Sequence, residues 1–185
     1  GLFCRLPSGE VVRGPVWPGL AAFPDFTDPK ARAWWGEKLK GFLEMGVAGL
    51  WLDMNEPALF AAWGEPTLPA SARHALEGQG GDHRLAHNLY GLLMARASWE
   101  GFRKHAPERR PFLLTRSGHA GVQRYAWAWT GDVESTWEGL RTTLRALLGL
   151  SLSGVYFVGS DIGGFSGNPS PELYLRWFQM AALTP

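Results

Sequence analysis

The chain has 185 residues, enough to bury a hydrophobic core, and 45% of them are apolar, which excludes a disordered protein. Lysine and arginine together number 18, against 17 for aspartate and glutamate, so the charge is too balanced for a nucleic-acid-binding surface. The apolar run from Leu147 to Val158 is too short, and too interrupted by glycine and serine, to span a membrane.

Two absences bear on the cellular compartment. Cys4 is the single cysteine, so no disulfide can form within the chain. The sequence does not open with a secretory signal peptide. Both observations favour the cytoplasm, but they leave the compartment unknown.

The N-terminal part of the chain predicts a β-hairpin followed by a helix. Residues 2–18 contain apolar stretches on either side of turn residues at 7–9. Asp28 is the expected N-cap of the helix, Pro29 its first residue and Gly46 its C-cap. The buried face of this helix is predicted from an apolar stripe at helical spacing: Ala31, Trp34, Trp35, Leu39, Phe42 and Leu43.

The stretch 49–57 is central to the interpretation. A continuously apolar run ends at Asp53, and Glu56 follows before a proline. Such a run is typical of a strand covered on both faces in a parallel sheet. In barrels of alternating strands and helices, catalytic groups lie at the C-terminal ends of strands. An acid that caps the next helix is an equally good local interpretation of Asp53.

Residues 58–81 are rich in proline, glycine, alanine and serine and predict a long loop that walls a pocket. A helix is predicted from about Asp82 to His105. His83 and His87 lie four residues apart on it, but the glutamate of the H-E-x-x-H metal pattern is absent, so we interpret both as core or surface residues. The inner face of this helix is predicted to carry Leu85, Leu89, Leu92, Leu93 and Trp99.

Three further apolar strands each lead to a charged side chain. Helices are predicted after the second and third strands, the first opened by a capping box of Ser135 and Glu138 and the next by Ser170-Pro171. Because crossovers between parallel strands are right-handed, the strand ends should share one face. The charged residues are Arg116, Asp132 and Asp161, after strands at 112–115, 125–129 and 155–159.

Several carboxylates close to tryptophans are typical of a glycosidase, in which one acid is ionised and another is kept protonated by its surroundings. The ten tryptophans fit core packing and also stacking on sugar rings. The sequence has no serine, histidine and aspartate arrangement and no metal-binding cluster. We therefore expect no metal and no cofactor.

Five stretches, in order along nearly the whole chain, resemble glycoside hydrolase family 31, the α-glucosidase family. Trp51-Leu-Asp53-Met-Asn-Glu-Pro57 resembles the nucleophile signature of that family. Its Asp-Met-Asn-Glu sequence is similar to the α-glucosidases, whereas the α-xylosidases of the family usually carry Phe-Gly in place of Met-Asn. The other stretches are 16–19 with 23–27, then 87–91, then 116–117 with 124–126 and 129–132, and last 159–165.

The resemblance implies roles for individual residues. Asp53 would be the catalytic nucleophile and Asp132 the acid/base. Arg116 and Asp161 would bind hydroxyl groups of the sugar, and Glu56 would support the site from behind. The side chains expected to line the first sugar subsite are Trp17, Trp51, Met54, Trp129 and Phe165.

The resemblance also implies a (β/α)8 TIM barrel, of which residues 1–185 would supply roughly strands three to seven with their helices. The remaining strands and the flanking β-domains of the family would be absent. On this basis the chain is expected to be a fragment, inactive by itself and prone to self-association through open barrel edges.

Three functions remain open. The first is a retaining α-glucosidase that hydrolyses terminal α-linked glucose from oligosaccharides. The second is a transglycosylase or α-glucan lyase of the same family, which uses the same nucleophile but resolves the intermediate without water. The third is a non-catalytic sugar-binding relic, which the presence of both Asp53 and Asp132 disfavours. An α-glucoside oligosaccharide is the expected partner, with no nucleic acid and no membrane.

Overall fold

The computed structural model describes residues 1–60 and 66–184, which form two compact units, 1–119 and 120–185. Residues 61–65 of the predicted pocket loop therefore lie outside the described part of the chain. Both units combine parallel strands with helices, which confirms the predicted α/β class. No helix in the described ranges has the length and apolar character needed to cross a membrane.

The first unit opens with two chain reversals. Leu6 N donates to Glu10 O at 2.8 Å across the turn at 7–9, as predicted. Strands β1 (Arg13–Val16) and β2 (Gly19–Ala22) then form an antiparallel hairpin, in which Gly19 takes a positive φ of 115° that suits glycine. The stretch before Trp17 is therefore paired in a hairpin.

Helix α1 (Pro29–Glu44) begins where the sequence predicts. The side chain of Asp28 accepts a hydrogen bond from Lys30 N at 2.8 Å, and proline is the first helical residue. Met45 is the C-cap, one residue before the predicted Gly46, and Gly46 then takes the left-handed conformation that ends many helices.

Helix α1 packs against helix α2 (His83–His105) through small residues. A Cβ added to Gly101 would lie 2.7 Å from the Cα of Gly36, so the helices are too close for larger side chains. The prediction for the inner face of α2 holds in part: Leu93 is partly buried and packs against the core, whereas Leu85 is 66% exposed. Phe42, from the predicted stripe of α1, is 50% exposed. The buried residues of α2 are His83, Ala86, Tyr90, Gly91, Ala95, Ala97, Ser98, Gly101 and Phe102.

Between α1 and the end of the first unit, the chain forms the sheet that carries the candidate site. Strand β3 (Gly49–Leu52) pairs in parallel with β6 (Phe112–Thr115), with Leu52 opposite Thr115. The predicted long loop contains a short antiparallel ribbon of β4 (Arg73–His74) and β5 (Gly81–Asp82). This ribbon leads directly into α2.

The second unit contains β7 (Trp127–Trp129), α3 (Trp137–Leu152), β8 (Val158–Gly159) and α4 (Pro171–Ala181). Strands β7 and β8 are parallel, with Ala128 opposite Val158. The described residues thus supply four strands in parallel pairs, as expected for part of a (β/α)8 barrel.

Of the two helix caps predicted in the second unit, the one for α4 is confirmed and the one for α3 is wrong. Ser170 caps α4 by accepting from Leu173 N at 3.2 Å, as predicted. Thr136, and not Ser135, caps α3 by accepting from Gly139 N at 2.9 Å. Ser135 does not cap α3, because its buried Oγ has no hydrogen-bond partner among the described residues, while its backbone N–H donates to Ser166 O at 2.8 Å.

Candidate active site

Asp53 and Arg116 are adjacent because each follows the last residue of one of two paired parallel strands. Nη1 of Arg116 lies 2.9 Å from Oδ1 of Asp53. The backbone N–H of Arg116 donates to Leu52 O at 3.0 Å, which extends the β3–β6 ladder to the base of the arginine side chain. The structure therefore brings together two residues that the sequence assigned to the site.

Glu56 holds the guanidinium of Arg116. Nε and Nη2 of the arginine donate to Oε1 and Oε2 of Glu56 at 2.9 and 3.0 Å, a bidentate pair. This leaves Nη1 facing Asp53. Oδ1 of Asp53 is buried and accepts no hydrogen bond from the described residues, so its contact with Arg116 is ionic.

Asn55 ties the two strand ends together, and the sequence interpretation missed it. Its side chain is buried, donates from Nδ2 to Thr115 Oγ1 at 2.8 Å and accepts from Ser117 N at 3.0 Å. Thr115 Oγ1 in turn donates to Ser117 O at 2.7 Å. These bonds fix the backbone on both sides of Arg116. Its position between Asp53 and Glu56, at the end of a predicted strand, is the sequence signal that could have identified Asn55.

Helix α2 presses on the same loop. A Cβ added to Gly91 would lie 2.6 Å from Ser117 O and 3.1 Å from Asn55 O. A glycine at this position therefore lets the helix support the loop that carries Arg116. Gly91 ends the 87–91 stretch of the family resemblance.

Asp53 lies on a largely apolar pocket of about 440 Å³ in the first unit. Trp17 and Met54, both predicted to line the sugar subsite, line this pocket with Phe23 and Tyr90. Trp17 is 80% exposed and meets Phe60 edge to face, with ring centroids 4.9 Å apart. Met54 has a φ of 55°, which is strained for a residue other than glycine and is common at functional sites.

Trp51 is an exposed aromatic on the strand that leads to the site. It is 63% exposed and lies two residues before Asp53. Because side chains alternate along a strand, Trp51 points to the same side of β3 as Asp53. The exposed indole therefore lies on the Asp53 side of β3.

In the second unit, the loops that follow β7 and β8 are joined. Phe165 N donates to Val133 O at 2.7 Å. Burial, and then the nearby charge of Asp132, raise the pKa of the Asp161 carboxyl above its ordinary value. Asp132 itself is exposed. Of the two predicted aromatic residues here, Trp129 is buried and Phe165 is exposed.

One group of described residues has the composition of a metal site. Ligand atoms of Cys4, Asp25 and His74 lie within 4.8 Å of one another and are buried. Burial raises the pKa of the Cys4 thiol well above its ordinary value, which disfavours the thiolate that a metal would need. His74 Nδ1 and Asp25 Oδ1 already contact each other at 3.0 Å. Hydrogen bonding therefore accounts for this cluster.

Comparison with known proteins identifies the family. The whole chain, residues 1–185, matches the family model described as the glycosyl hydrolases family 31 TIM-barrel domain. Alpha-glucosidase 2 of Bacillus thermoamyloliquefaciens is 47% identical over 183 residues, which are 99% of this chain and 23% of that protein. The chain thus spans about a quarter of the length of that relative.

Comparison with solved structures supports the same family. A glucosidase II alpha subunit bound to Glc1Man2 superposes with a TM-score of 0.88 at 33% identity, over all of this chain and 20% of that one. A mutant family 31 dextranase of Flavobacterium johnsoniae complexed with isomaltotriose gives 0.88 at 31% identity, over all of this chain and 24% of that one. The chain belongs to glycoside hydrolase family 31, and its residues form part of the TIM-barrel domain of that family.

Proposed function

We propose that the protein containing this chain is a retaining α-glucosidase that releases terminal α-linked glucose from oligosaccharides. The observation that carries the proposal is Asp53 at the end of β3, in ionic contact with Arg116 and beside an apolar pocket. The relative from Bacillus thermoamyloliquefaciens is named an alpha-glucosidase, which supports the choice of substrate.

In this proposal Asp53 attacks the anomeric carbon and forms a covalent glycosyl intermediate. Asp132 donates a proton to the leaving oxygen and then takes a proton from the water that releases glucose. A retaining mechanism of this type requires the two carboxyl groups to lie about 5–5.5 Å apart. The positive charge of Arg116 Nη1, 2.9 Å from Asp53 Oδ1, supports the role of this carboxylate as the nucleophile.

Arg116 contributes charge and orientation. Its bidentate bond to Glu56 fixes the plane of the guanidinium, so Nη1 offers a positive charge beside the attacking carboxylate. In the proposed complex Arg116 also binds a sugar hydroxyl, and Asp161 binds another. Glu56 acts only through Arg116 and is a positioning residue.

The aromatic residues and Met54 form the walls of the proposed sugar subsite. Exposed Trp17 and Trp51 offer flat faces to the apolar side of a glucose ring, and Phe165 is also exposed. Trp129 is buried and supports the strand that leads to Asp132. No cofactor or metal takes part in the proposed steps.

The stereochemistry and identity of the first product test this function. The protein containing this chain is incubated with an aryl α-glucoside, and the sugar released is followed by proton NMR before mutarotation. Release of α-glucose supports the proposal, and release of β-glucose refutes the retaining mechanism. A transfer product or an unsaturated sugar would instead support the transglycosylase or the lyase of the family.

A further inference from the structure

Three histidines form a continuous hydrogen-bonded chain in the first unit. His74 Nδ1 lies 3.0 Å from Asp25 Oδ1, and His74 Nε2 lies 3.0 Å from His83 Nδ1. His83 Nε2 lies 3.0 Å from His87 Nδ1. His74 and His83 are buried and their rings stack at 5.1 Å, whereas His87 is partly exposed. This group, Asp25, His74, His83 and His87, is called the histidine chain below.

Asp25, the acceptor at one end of the histidine chain, determines which ring nitrogen of His74 carries a hydrogen. Burial alone would raise the pKa of Asp25, but hydrogen bonds from His74, Thr27 and Ala75 bring it below its ordinary value. The carboxylate therefore only accepts, from Thr27 Oγ1 at 2.6 Å, Ala75 N at 2.7 Å and His74 Nδ1 at 3.0 Å. Nδ1 of His74 must carry the hydrogen in this contact.

The remaining protons follow from the first. If the three rings are neutral, His74 Nε2 is an acceptor, so His83 must donate from Nδ1. His83 Nε2 is then an acceptor, so His87 must also donate from Nδ1. One arrangement therefore satisfies the three contacts that run from Asp25 to His87, with all three histidines in the Nδ1–H tautomer and every N–H directed towards Asp25.

The histidine chain reaches two walls of the pocket that contains Asp53. At one end, Asp25 lies between Pro24 and Phe26, and both neighbours line the pocket. At the other end, His83 Nε2 lies 3.4 Å from Thr67 Oγ1, a packing contact because the nitrogen is an acceptor and the hydroxyl donates its hydrogen to Pro57 O at 2.7 Å. Pro57 lines the pocket and directly follows Glu56.

The same residues join three segments that are distant in sequence. Ala75 N bonds Asp25, and Leu76 N bonds Thr27 Oγ1 at 2.9 Å, so the ribbon after β4 is tied to the segment before α1. His74 then connects that ribbon to the first turn of α2 through His83. A shift in either buried ring would therefore move pocket walls on both sides.

We propose that His74 and His83 are positioning residues that hold the two walls of the sugar pocket at a fixed separation through the histidine chain. The nature of the ligand rests on the proposed function, while the hydrogen-bond arrangement does not. Neither residue touches the sugar. The proposal gives a role to His83 and His87, which the sequence interpretation left as core or surface residues.

The proton arrangement is tested on the unsubstituted protein. It is labelled with ¹⁵N-histidine, and the ring nitrogens are measured by solid-state NMR, which does not depend on molecular size. Substitution of each histidine by asparagine in turn assigns its signals. At pH 7.5 we expect His74, His83 and His87 in the Nδ1–H tautomer. The Nε2–H tautomer at His74 or His83 would overturn the proposal.

The positioning role is tested by kinetics on the protein containing this chain. His83→Phe removes both ring contacts, whereas His83→Asn places an amide donor where Nδ1 contacts His74. Because a small misplacement can cost roughly a hundredfold, we expect His83→Phe to lower kcat/KM about ten- to a hundredfold and His83→Asn to restore most of it. The control is His105→Asn at the other end of α2, which should leave kcat/KM unchanged.

These outcomes separate the two proposals. If the unsubstituted protein releases no glucose, the proposed function is wrong, and the tautomers still decide the histidine chain. If it is active and His83→Phe matches it in kcat/KM while remaining folded, the positioning role is wrong. Should His83→Phe fail to fold, the same comparison is made with His74→Asn, which keeps the donor to Asp25 and loses the bond to His83. A kcat/KM equal to that of the unsubstituted protein would then overturn the proposal.

Discussion

Arg116 contacts two carboxylates through different nitrogens of its guanidinium, and this arrangement decides what each residue can do. The fork of Nε and Nη2 is occupied by Glu56, and Nη1 faces Asp53. A lysine has a single charged nitrogen and cannot make both contacts with this geometry. The planar group, and not the charge alone, is therefore what the site uses.

Replacing Arg116 by lysine tests this point. We expect kcat/KM of the protein containing this chain to fall about a hundredfold, because loss of one oriented donor commonly has that effect. Circular dichroism should be unchanged, since the strand ends stay tied through Asn55. Arg109→Lys is the matched control, because it replaces an arginine that donates to Val47 O away from Asp53. Near-normal kinetics for Arg116→Lys would contradict the proposed role.

His83 should make stability depend on pH. Burial first, and then the charges of His74 and His87, lower the pKa of His83 to about 4, although Asp82 opposes this shift. The fold therefore favours the neutral ring. Its contribution, on the order of 3 kcal/mol, is complete above the ordinary pKa of 6.5 and is lost as the pH falls from 6.5 towards 4.

The measurement is the free energy of unfolding in urea between pH 7.5 and 4.5. The unsubstituted protein should lose on the order of 2–3 kcal/mol more over this range than His83→Asn, which has no proton to gain at this position. Equal pH dependence of the two proteins would show that His83 is not held neutral by the fold.

At the scale of elements, helix α2 supports the active-site loop through Gly91. An added methyl group would meet Ser117 O at 2.6 Å, so the helix or the loop would have to move. Alanine normally stabilises a helix relative to glycine by about 1 kcal/mol. The clash with the loop opposes this gain, because inserting a methyl group into a well-packed site typically costs about 1–3 kcal/mol of stability.

We therefore expect Gly91→Ala to lower the free energy of unfolding and to reduce kcat/KM by displacing Arg116. Gly41→Ala in α1 is the control, because nothing lies within 4 Å of the added Cβ. This control should be neutral or slightly stabilising. If Gly91→Ala is as stable and as active as Gly41→Ala, helix α2 does not press on the loop.

Helix ends could be predicted from the sequence where the hydrogen bonds that form them are local. Asp28 and Ser170 cap helices by bonding residues two or three positions ahead, and both were predicted. The buried face of α2 was predicted only in part, because it depends on how closely Gly36 approaches Gly101. Asp53 and Arg116 were predicted from strand ends, whereas His74 depends on Asp25, which lies 49 residues earlier.

At the level of the whole molecule, many large apolar side chains are exposed to solvent. Phe112 and Trp51 are more than half exposed on the parallel strands of the first unit. Leu152 is 91% and Phe178 is 52% exposed in the second unit. Large exposed apolar patches usually mark surfaces that another chain or segment covers. The matched relative from Bacillus thermoamyloliquefaciens is also much longer than this chain.

We predict that residues 1–185 expressed alone associate with one another and turn over an aryl α-glucoside negligibly. Light scattering should give a mass above that of one chain, decreasing when Leu152 is replaced by glutamate. The surface substitution Leu85→Glu on α2 is the control for the added charge. A stable monomer that hydrolyses the substrate at the rate of the longer protein would contradict this prediction.

Asp53 is the proposed nucleophile, and covalent labelling identifies the residue that attacks the sugar. The protein containing this chain is treated with a fluoro-glucosyl reagent that traps the glycosyl intermediate, then digested and sequenced by mass spectrometry. We predict one label, on Asp53. The variant Asp53→Asn should lose this label, whereas Asp132→Asn should still be labelled at Asp53. A label on any other residue, or full labelling of Asp53→Asn, would contradict this prediction.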